Sequence, residues 1–406
     1  MIRVRRQYRG RESLRILFVL TPSFDPRSGG VQMSTYKLAR RFAEQGFDVG
    51  VFSFAKGGHC EQDFATLFSA PVDGGHGAQY NLRALAEVLD RYRPEVVVNQ
   101  MPYERPISEA LLQRKSYLLV GCLRNTLYSV RNNLGAYGRQ VLPGWVEPAF
   151  RNALGRSALL HLHRFRHRRD LMRILEIHDY FVMFGPPNLK ELEYFVPGFD
   201  RDKIRLIPNS IPAVLDVPPE KEKRLLWLGR MVYEQKRADL ILEVWQRVSE
   251  KLSDWSLDIV GEGPALAEIR RGIADRAVPR VDLHGRQVAD EYYRRAAVFF
   301  MTSSFEGFPN TLVEAQSFGA IPVIFDSYPV ARWIIESGRN GFLIKPFDVG
   351  AMAERIVEIA MAEDRHRFAQ QTLDSARRFE IGRVGAMWEE LFEAGVLPHR
   401  VAGRQH

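Results

Sequence analysis

Short apolar runs of strand length alternate with amphipathic segments of helix length along most of the 406-residue chain. In the first half, the predicted strands are residues 14–20, 47–54, 95–99, 117–121, 180–184 and 203–206. Between the first two strands, residues 30–45 carry apolar side chains at helical spacing, and a glycine follows them. Strands that alternate with helices in this way predict βαβ units, and therefore a parallel sheet that helices cover on both faces.

The alternation stops near residue 207 and then starts again. Residues 207–223 are rich in proline and charge, which is typical of a connector between domains. Beyond the connector, the predicted strands are residues 225–229, 257–260, 281–284, 298–301 and 321–324, with helices between them and from 349 to about 391. At about 150 residues per domain, the chain length also favours two domains.

These patterns predict an α/β protein with two successive Rossmann-like domains. We assign residues 14–206 to the first domain and residues 207–379 to the second. A last helix, at about residues 380–396, is predicted to pack back on the first domain. The arginine-rich residues 1–13 are predicted to form a flexible tail.

Composition narrows the class of protein. The longest apolar runs, such as residues 16–20, are far shorter than the roughly 18 residues of a membrane-spanning helix, and no signal-peptide cleavage site follows them. Two cysteines, Cys60 and Cys122, are too few for a disulfide framework. We therefore expect a reduced, cytoplasmic protein. The net charge of +8 favours an anionic partner, which could be nucleic acid, a membrane surface or a phosphate-bearing substrate.

Residues 151–173 interrupt the alternation and are strongly basic. Seven arginines and three histidines fall in this segment, and Asp170 is the only acidic residue. The apolar side chains of Leu154, Ala158, Leu162 and Phe165 would share one helical face. Two interpretations follow: a basic amphipathic helix that lies on an anionic membrane, or a solvated helix that packs over the sheet.

Two glycine motifs follow predicted strands. Gly29 and Gly30 lie between the first strand and the first helix, where a backbone can approach a phosphate, although an ordinary turn fits as well. Gly261 and Gly263 follow residues 257–260, but Leu266 occupies the third glycine position of a dinucleotide fingerprint. The sequence therefore gives no support to a nicotinamide-dependent dehydrogenase.

Two cations and two carboxylates follow strands of the second half. Arg230 and Lys236 come after residues 225–229, and the pair could neutralise a diphosphate or simply be solvated in a loop. Glu306 lies in a turn after residues 298–301, and Glu314 lies about one turn into the next helix, whose first amides could hold phosphate. Carboxylates in these places can accept hydrogen bonds from sugar and ribose hydroxyls.

Metal binding is not predicted. Residues 200–202 read Asp-Arg-Asp, which has the D-x-D pattern of a metal site, but no third ligand is evident nearby. Nucleic-acid binding is also disfavoured, because no recognised module interleaves basic and aromatic residues.

Taken in order, eight motifs resemble those of the retaining glycosyltransferases of the GT-B fold known as glycosyltransferase family 4. They are residues 29–31 (GGV), 207–211 (IPNSI), 228–230 (LGR) with Lys236, 259–264 (IVGEGP), 281–285 (VDLHG), 302–309 (TSSFEGFP) with Glu314, 319–323 (GAIPV) and 340–343 (NGFL). The resemblance is strong from about residue 203 to 362 and is also present within the first forty residues. Between these two regions it is thin. It implies that the two domains face each other across a cleft.

The resemblance also implies roles for particular residues. Arg230 and Lys236 would grip the donor diphosphate, and Glu306 would contact the donor sugar with help from the backbone of Gly307, Phe308 and Pro309. Asn310 and Thr311 begin the helix that would stabilise the phosphate, and Glu314 would bind ribose. The remaining donor-binding residues are Gly30, opposite the diphosphate, and Gly285 and Arg286, beside the base.

One departure from the family lies on the acceptor side. Family members often carry a histidine after the fourth or fifth strand of the first domain, whereas residues 120–126 read VGCLRNT. Arg124 or Asn125 would contact the donor or the acceptor instead.

The implied activity is transfer of a hexosyl unit from a nucleotide diphosphate sugar, with UDP-hexose preferred over a GDP-sugar, to a hydroxyl group. The expected acceptor is a glycan or a lipid-linked glycan of bacterial polysaccharide or lipopolysaccharide synthesis, at the inner face of the cytoplasmic membrane. No cofactor or metal is expected. The alternatives are a nucleotide-sugar epimerase, a synthase with a soluble acceptor, and a non-catalytic nucleotide-sugar-binding protein.

Overall fold

The structure is a computed structural model and describes residues 13–21, 23–55, 64–72, 75, 78–127 and 153–402. The predicted tail, apart from Ser13, lies outside the described residues, and so does Cys60. Two parallel sheets with helices packed against them form the described part of the chain, which confirms the predicted α/β class.

The first sheet has seven strands, and its central strands are apolar and fully buried. The strands are β1 (Arg15–Leu20), β2 (Asp48–Ser53), β3 (Thr66–Ser69), β4 (Val96–Asn99), β5 (Leu118–Cys122), β6 (Tyr180–Met183) and β7 (Ile204–Leu206). The helices around them are α1 (Gly30–Glu44), α2 (Gln79–Tyr92), α3 (Arg105–Gln113), α4 (Ala153–Ile177) and α5 (Pro186–Phe195). Continuous burial along β1 and β4 is what a parallel strand covered on both faces requires.

The second sheet has six strands. They are β8 (Glu222–Leu228), β9 (Ser256–Val260), β10 (Val281–Gly285), β11 (Ala296–Met301), β12 (Ile321–Phe325) and β13 (Phe342–Ile344). The helices that follow the connector are α6 (Ile241–Ser249), α7 (Leu266–Asp275), α8 (Asp290–Arg295), α9 (Asn310–Ser317), α10 (Ala331–Ile334), α11 (Val349–Met361), α12 (Arg365–Ala376) and α13 (Ile381–Ala402).

Strand order places one reversal in each sheet. The first sheet runs β3-β2-β1-β4-β5-β6-β7 and the second runs β10-β9-β8-β11-β12-β13, with all pairs parallel. In each sheet, the chain therefore adds strands toward one edge and then switches to the other side of its first strand. The switch lies at β1/β4 in the first sheet and at β8/β11 in the second. Loops that leave neighbouring strands at such a reversal diverge and open a crevice at the carboxyl edge, where ligands bind in this class of fold.

The chain crosses between the domains twice, and the two crossings are hydrogen-bonded to each other. Ile211, in the connector, donates its amide to the Phe379 carbonyl at 2.9 Å and accepts from the Ile381 amide at 2.8 Å. Helix α13 begins at this point and packs on the first domain, where Val384, Trp388, Leu391 and Phe392 join the core that contains β1 and β2. The predicted return of the last helix is therefore observed.

The structure also differs from the sequence-based expectations. Strands β3 and β13 were not predicted, because each has only three or four residues. In α4, the four apolar residues predicted to share a face do so, but the face points outward: Leu154 is 83% and Phe165 82% exposed. The buried side of α4 instead carries Leu159, Leu171 and Ile174.

The packing of α13 yields a stability prediction. Trp388 is 1% exposed and contacts Phe392 with ring centroids 5.7 Å apart, so Trp388→Ala should lower the free energy of unfolding by about 3–5 kcal/mol. The measurement is urea denaturation with hydrogen exchange of β1 and β2 as the local readout. Met387→Ala is the control, because Met387 is 37% exposed. Equal stability of the two variants would contradict the tethering role of α13.

Candidate active site

The carboxyl edge of the second sheet is built by close backbone packing between loops. A Cβ atom on Gly261 would lie 1.9 Å from the Gly229 carbonyl oxygen, and one on Gly263 would lie 2.4 Å from that of Met231. Both glycines have positive φ angles, 142° and 152°. These glycines therefore let the loop after β9 support the loop after β8, which carries Arg230 and Lys236.

Three predicted site residues of the second domain are joined by hydrogen bonds. Lys236 Nζ donates to Glu306 Oε1 at 2.6 Å, and only 15% and 7% of these side chains are exposed. Gln235 Nε2 donates to Glu306 Oε2 at 3.2 Å, while Gln235 Oε1 accepts from Arg230 Nη2 at 3.1 Å. Arg230 itself is exposed. The structure thus brings Arg230, Lys236 and Glu306 together at the β8/β11 reversal.

Polar residues just after β11 fix the backbone that carries Lys236. Thr302 Oγ1 donates to the Lys236 carbonyl at 2.7 Å, and Ser304 donates through its amide to the Gln235 carbonyl at 2.7 Å. Trp227 Nε1 in turn donates to Thr302 Oγ1 at 3.1 Å. Because both ends of the Lys236–Glu306 pair are anchored to the same strand pair, their separation is set by the sheet.

The residues at the start of α9 face the first domain. Phe308 is buried between Phe184 of the first domain and Phe379, with both ring-centroid distances 5.5 Å, so its side chain belongs to the interdomain core. Pro309 precedes the first turn, and Asn310 Oδ1 accepts from Asn209 Nδ2 of the connector at 3.0 Å. The Thr311 hydroxyl oxygen is buried without a hydrogen-bond partner.

Glu314, on α9, is bound from both domains. Its Oε1 accepts from Lys37 Nζ of α1 at 2.9 Å, and its Oε2 accepts from the Tyr293 hydroxyl at 3.3 Å. Burial raises the pKa of Tyr293 well above its ordinary value, so Tyr293 stays a neutral donor. An ion pair therefore spans the cleft at the carboxylate predicted to bind ribose.

The loop after β10 carries Gly285 and Arg286. Gly285 has φ = 66° and its carbonyl accepts from the Gly261 amide at 2.7 Å, which fixes the turn. Arg286 is exposed. In the first domain, the hydrogen bond from Arg27 is the main cause that lowers the pKa of Asp25, and the charge of Arg286 contributes to the same shift. Arg286 is thus an exposed cation on the loop that follows β10.

On the first-domain side, Gly30, Arg124 and Asn125 face the second domain. A Cβ atom on Gly30 would lie 3.2 Å from Asn310 Nδ2. A Cβ atom on Gly307 would lie 2.8 Å from Asn125 Cα and 2.9 Å from the Arg124 carbonyl oxygen. The sequence-predicted residues of the two domains therefore meet across a narrow cleft.

One cluster of potential metal ligands lies on β9 and β10. Asp258, Asp282 and His284 place ligand atoms within 4.8 Å of one another. However, Arg224 Nη1 and Arg295 Nη2 each donate to the Asp258 carboxylate at 2.9 Å, and His284 Nε2 lies 2.7 Å from it. Because two guanidinium groups already balance this buried carboxylate, the donor set does not favour a metal ion.

Several residues of the site were missed by sequence reasoning. Gln235 directly precedes Lys236 but belongs to no predicted motif, and its bridging role depends on the fold. Lys37 lies in the middle of a helix and carries no motif at all. Gln100 and Asn209 contact Arg124 and come from a strand end and from the connector. Only Asn209, which falls within the IPNSI motif, had a signal in the sequence.

Comparisons with known proteins agree with this geometry. Residues 222–361, about a third of the chain, match the family described as "Glycosyl transferases group 1". The lipopolysaccharide 1,6-galactosyltransferase of Salmonella typhimurium is 31% identical over 148 residues, 34% of this chain and 40% of that protein. The "Exopolysaccharide phosphotransferase SCO2592" of Streptomyces coelicolor is 26% identical over 210 residues, 50% of this chain and 22% of that protein.

The fold itself is matched over nearly the whole chain. The pneumococcal O-GlcNAc transferase GtfA, solved in complex with UDP and GlcNAc, has a TM-score of 0.70 at 14% identity and covers 95% of this chain and 100% of that one. The predicted GT-B arrangement of two Rossmann-like domains is therefore confirmed. The match to each of the two curated relatives spans less than half of that relative's own length.

The buried Lys236–Glu306 pair predicts non-additive effects on stability. Lys236→Met or Glu306→Gln alone leaves one charge buried without its partner, which should cost about 3 kcal/mol of unfolding free energy. The double variant removes both charges, so its loss of unfolding free energy should be about 2 kcal/mol smaller than the sum of the two single losses. Urea denaturation followed by circular dichroism measures the cycle, with Arg230→Gln as an exposed control. Additive losses would show that the two charges do not depend on each other.

Proposed function

We propose that the chain is a retaining hexosyltransferase of glycosyltransferase family 4 that takes its sugar from a nucleotide diphosphate donor. The observation that carries the proposal is the Lys236–Glu306 contact, with Arg230 tied to it through Gln235, at the strand reversal of the second domain. Cations for a diphosphate and a carboxylate for sugar hydroxyls are thereby placed side by side.

In this proposal, the donor lies across the carboxyl edge of the second domain. Arg230 and Lys236 bind the diphosphate, aided by the first turn of α9 at Asn310 and Thr311. Glu306 holds the sugar, and Glu314 binds the ribose hydroxyls. UDP-hexose is the proposed donor, because the similar pneumococcal structure contains UDP and GlcNAc.

The proposed reaction breaks the bond between the anomeric carbon and the diphosphate oxygen and joins that carbon to the acceptor oxygen on the same face. The acceptor proton passes to the departing phosphate oxygen. Positive charge develops on the sugar and negative charge on the phosphate, so the Arg230 and Lys236 cations stabilise the leaving group without a metal. Glu306 positions the sugar, and closure of the two domains excludes water.

The proposed acceptor is a glycan or a lipid-linked glycan of a bacterial cell-surface polysaccharide or lipopolysaccharide. Relatives that act on such polymers support this choice, namely the Salmonella galactosyltransferase and the Streptomyces exopolysaccharide enzyme. None of the described helices is both long and apolar enough to cross a membrane. We propose peripheral attachment to the inner face of the cytoplasmic membrane, where a lipid-linked acceptor would lie.

The outward face of α4 supports that attachment. Leu154 and Phe165 are more than four-fifths exposed, and Arg166, Arg168 and Arg169 beside Phe165 are also exposed. Apolar side chains can enter the headgroup boundary while flanking arginines attract anionic lipid. Of the two interpretations of the basic segment, the membrane-binding one thus explains the exposed apolar residues, which a merely solvated helix leaves unexplained.

The catalytic proposal is tested with Glu306→Ala and Lys236→Ala. Each should lower kcat by about 100-fold or more, because each removes charge aligned with the reacting bond. UDP release from a panel of UDP-hexoses measures turnover, at a temperature where circular dichroism shows that each variant is folded. Lys345→Ala, an exposed lysine of the same domain, is the control. Near-normal transfer by either site variant would refute these assignments.

Product analysis by NMR separates the proposal from its alternatives. A glycoside with the anomeric configuration of the donor supports retention, whereas an inverted product contradicts it. A free epimer of the nucleotide sugar would identify an epimerase, and binding without turnover would identify a non-catalytic protein.

The membrane proposal predicts charge-dependent binding to vesicles. Sedimentation should show binding to mixed phosphatidylcholine and phosphatidylglycerol but not to phosphatidylcholine alone. The double change Arg168→Gln and Arg169→Gln should weaken binding roughly 30-fold, since each arginine contributes about 1 kcal/mol. Phe165→Glu should also weaken it, while Val288→Glu, at a 79% exposed site of the second domain, should not. Salt-insensitive binding to neutral vesicles, or no binding at all, would contradict the proposal.

A further inference from the structure

Arg124 is a partly buried cation whose hydrogen-bond partners, two side-chain amides and the Cys122 thiol, carry no carboxylate. Its Nη1 donates to Asn209 Oδ1 at 3.0 Å, and its Nε donates to Gln100 Oε1. Its Nη2 atom is buried and has no partner. Within the described ranges, no carboxylate forms an ion pair with Arg124, so its charge is left uncompensated.

Other shielded arginines of the chain have compensated surroundings. Arg224 forms ion pairs with Asp258 and Asp282 at 2.9 and 2.8 Å. Arg280 donates to the backbone carbonyls of Ser249, Leu252 and Trp255, which ties two segments together. Arg124 has neither an acid nor a set of carbonyls. Because a shielded charge without a counter-charge is unfavourable, a purely structural role accounts poorly for an arginine here.

Arg124 lies where the two domains meet beside the proposed reaction centre. It follows β5 at the carboxyl edge of the first sheet, and its carbonyl oxygen is 2.9 Å from the position of a Cβ on Gly307. Gly307 is the residue directly after Glu306. On the other side, Asn209 connects Arg124 to Asn310 at the start of α9. The backbone of Arg124 therefore lies beside the loop that carries Glu306, and its guanidinium is held at the domain boundary by Gln100 and Asn209.

A second unsatisfied donor accompanies it. Gln100, at the end of β4, is 1% exposed, and its Nε2 has no partner although its Oε1 is occupied by Arg124. The hydroxyl of Ser210, next to Asn209 in the chain and 4% exposed, is also without a partner. Buried donors left unpaired are rare, and the unpaired Nη2 of Arg124 with the unpaired amide of the adjoining Gln100 offers two donors to the oxygens of an anion.

We propose that Arg124 and Gln100 bind a negatively charged oxygen group, a phosphate or a carboxylate, on the sugar substrates of the reaction. The inference rests on the proposed function and specifies its substrate class: the enzyme acts on an anionic glycan. The charge belongs to the acceptor, because Arg124 and Gln100 are on the first domain and the donor diphosphate has Arg230 and Lys236 on the second. A carboxylate on the transferred sugar is the other source of the same chemistry.

The first experiment compares charged and neutral sugars on the wild-type protein. Isothermal titration with UDP present measures glucose 6-phosphate and glucuronate against glucose; a second series measures UDP-glucuronate against UDP-glucose. We expect the charged sugar to bind about tenfold tighter or more than its neutral counterpart in one of the two series. Preference in the first series places the charge on the acceptor, and preference in the second places it on the transferred sugar. No preference in either series, or no detectable binding of any probe other than UDP, overturns the inference.

The second experiment assigns the preference to Arg124. Arg124→Gln should remove the preference while leaving UDP affinity unchanged, and Arg124→Lys should retain part of it. Arg205→Gln is the matched control, because Arg205 is a first-domain arginine that donates to backbone carbonyls near β7. Preserved charge preference in Arg124→Gln overturns the inference, and so does a parallel loss of UDP binding, which would place Arg124 at the donor phosphates.

The wild-type comparison decides the inference even where Arg124→Gln is not folded by circular dichroism, and Arg124→Lys then serves as the variant. The proposed function and the role of Arg124 can be contradicted independently of each other. If UDP does not bind the wild-type protein, the proposed function is contradicted. If UDP binds but charge makes no difference, only the role of Arg124 is contradicted.

Discussion

The reversal of strand order at β8/β11 is the constraint on which the site depends. In a parallel sheet, every strand ends at the same edge, but only at the reversal do neighbouring loops turn toward opposite faces and leave room for a ligand. Lys236 follows one strand of this pair and Glu306 the other, so their contact follows from the winding of the chain. The first sheet has the same kind of reversal at β1/β4, which places Gly30 and Gln100 at the carboxyl edge of that sheet.

The same edge explains why so many polar groups in the cleft are tied to one another. Glu306 accepts from Lys236 and Gln235, and Glu314 accepts from Lys37 and Tyr293. A carboxylate that is partly shielded from water needs such donors, because an unpaired buried charge is strongly unfavourable. The pairing therefore fixes the orientation of both carboxylates, whose oxygens can accept hydrogen bonds from sugar hydroxyls.

The sequence predicted the strands and helices well and the side-chain contacts between them poorly. Strands such as 95–99 and 298–301 are continuous apolar runs between turns, and the structure has strands there, at Val96–Asn99 and Ala296–Met301. The motif residues Arg230, Lys236 and Glu306 could be named because they follow strands, but Gln235 between them could not, since its role is a matter of side-chain direction. The outward face of α4 illustrates the limit: periodicity showed that Leu154 and Phe165 share a face, not which way that face points. The role of Lys37 could not be predicted from the sequence, because its ion pair with Glu314 forms only when the two domains are packed together.

The Lys37–Glu314 pair couples the two domains to the proposed nucleotide site. A ribose that binds Glu314 has to share or replace the bonds from Lys37 and Tyr293, so nucleotide binding and the interdomain contact act on one carboxylate. The aromatic contact of Phe184 with Phe308 and the Asn209–Asn310 bond hold the same two surfaces together without involving Glu314. Closure can therefore persist while the ion pair is exchanged for ribose hydroxyls. In the proposed complex, the ammonium of Lys37 would stay next to Glu314 and would add a first-domain cation to those of Arg230 and Lys236.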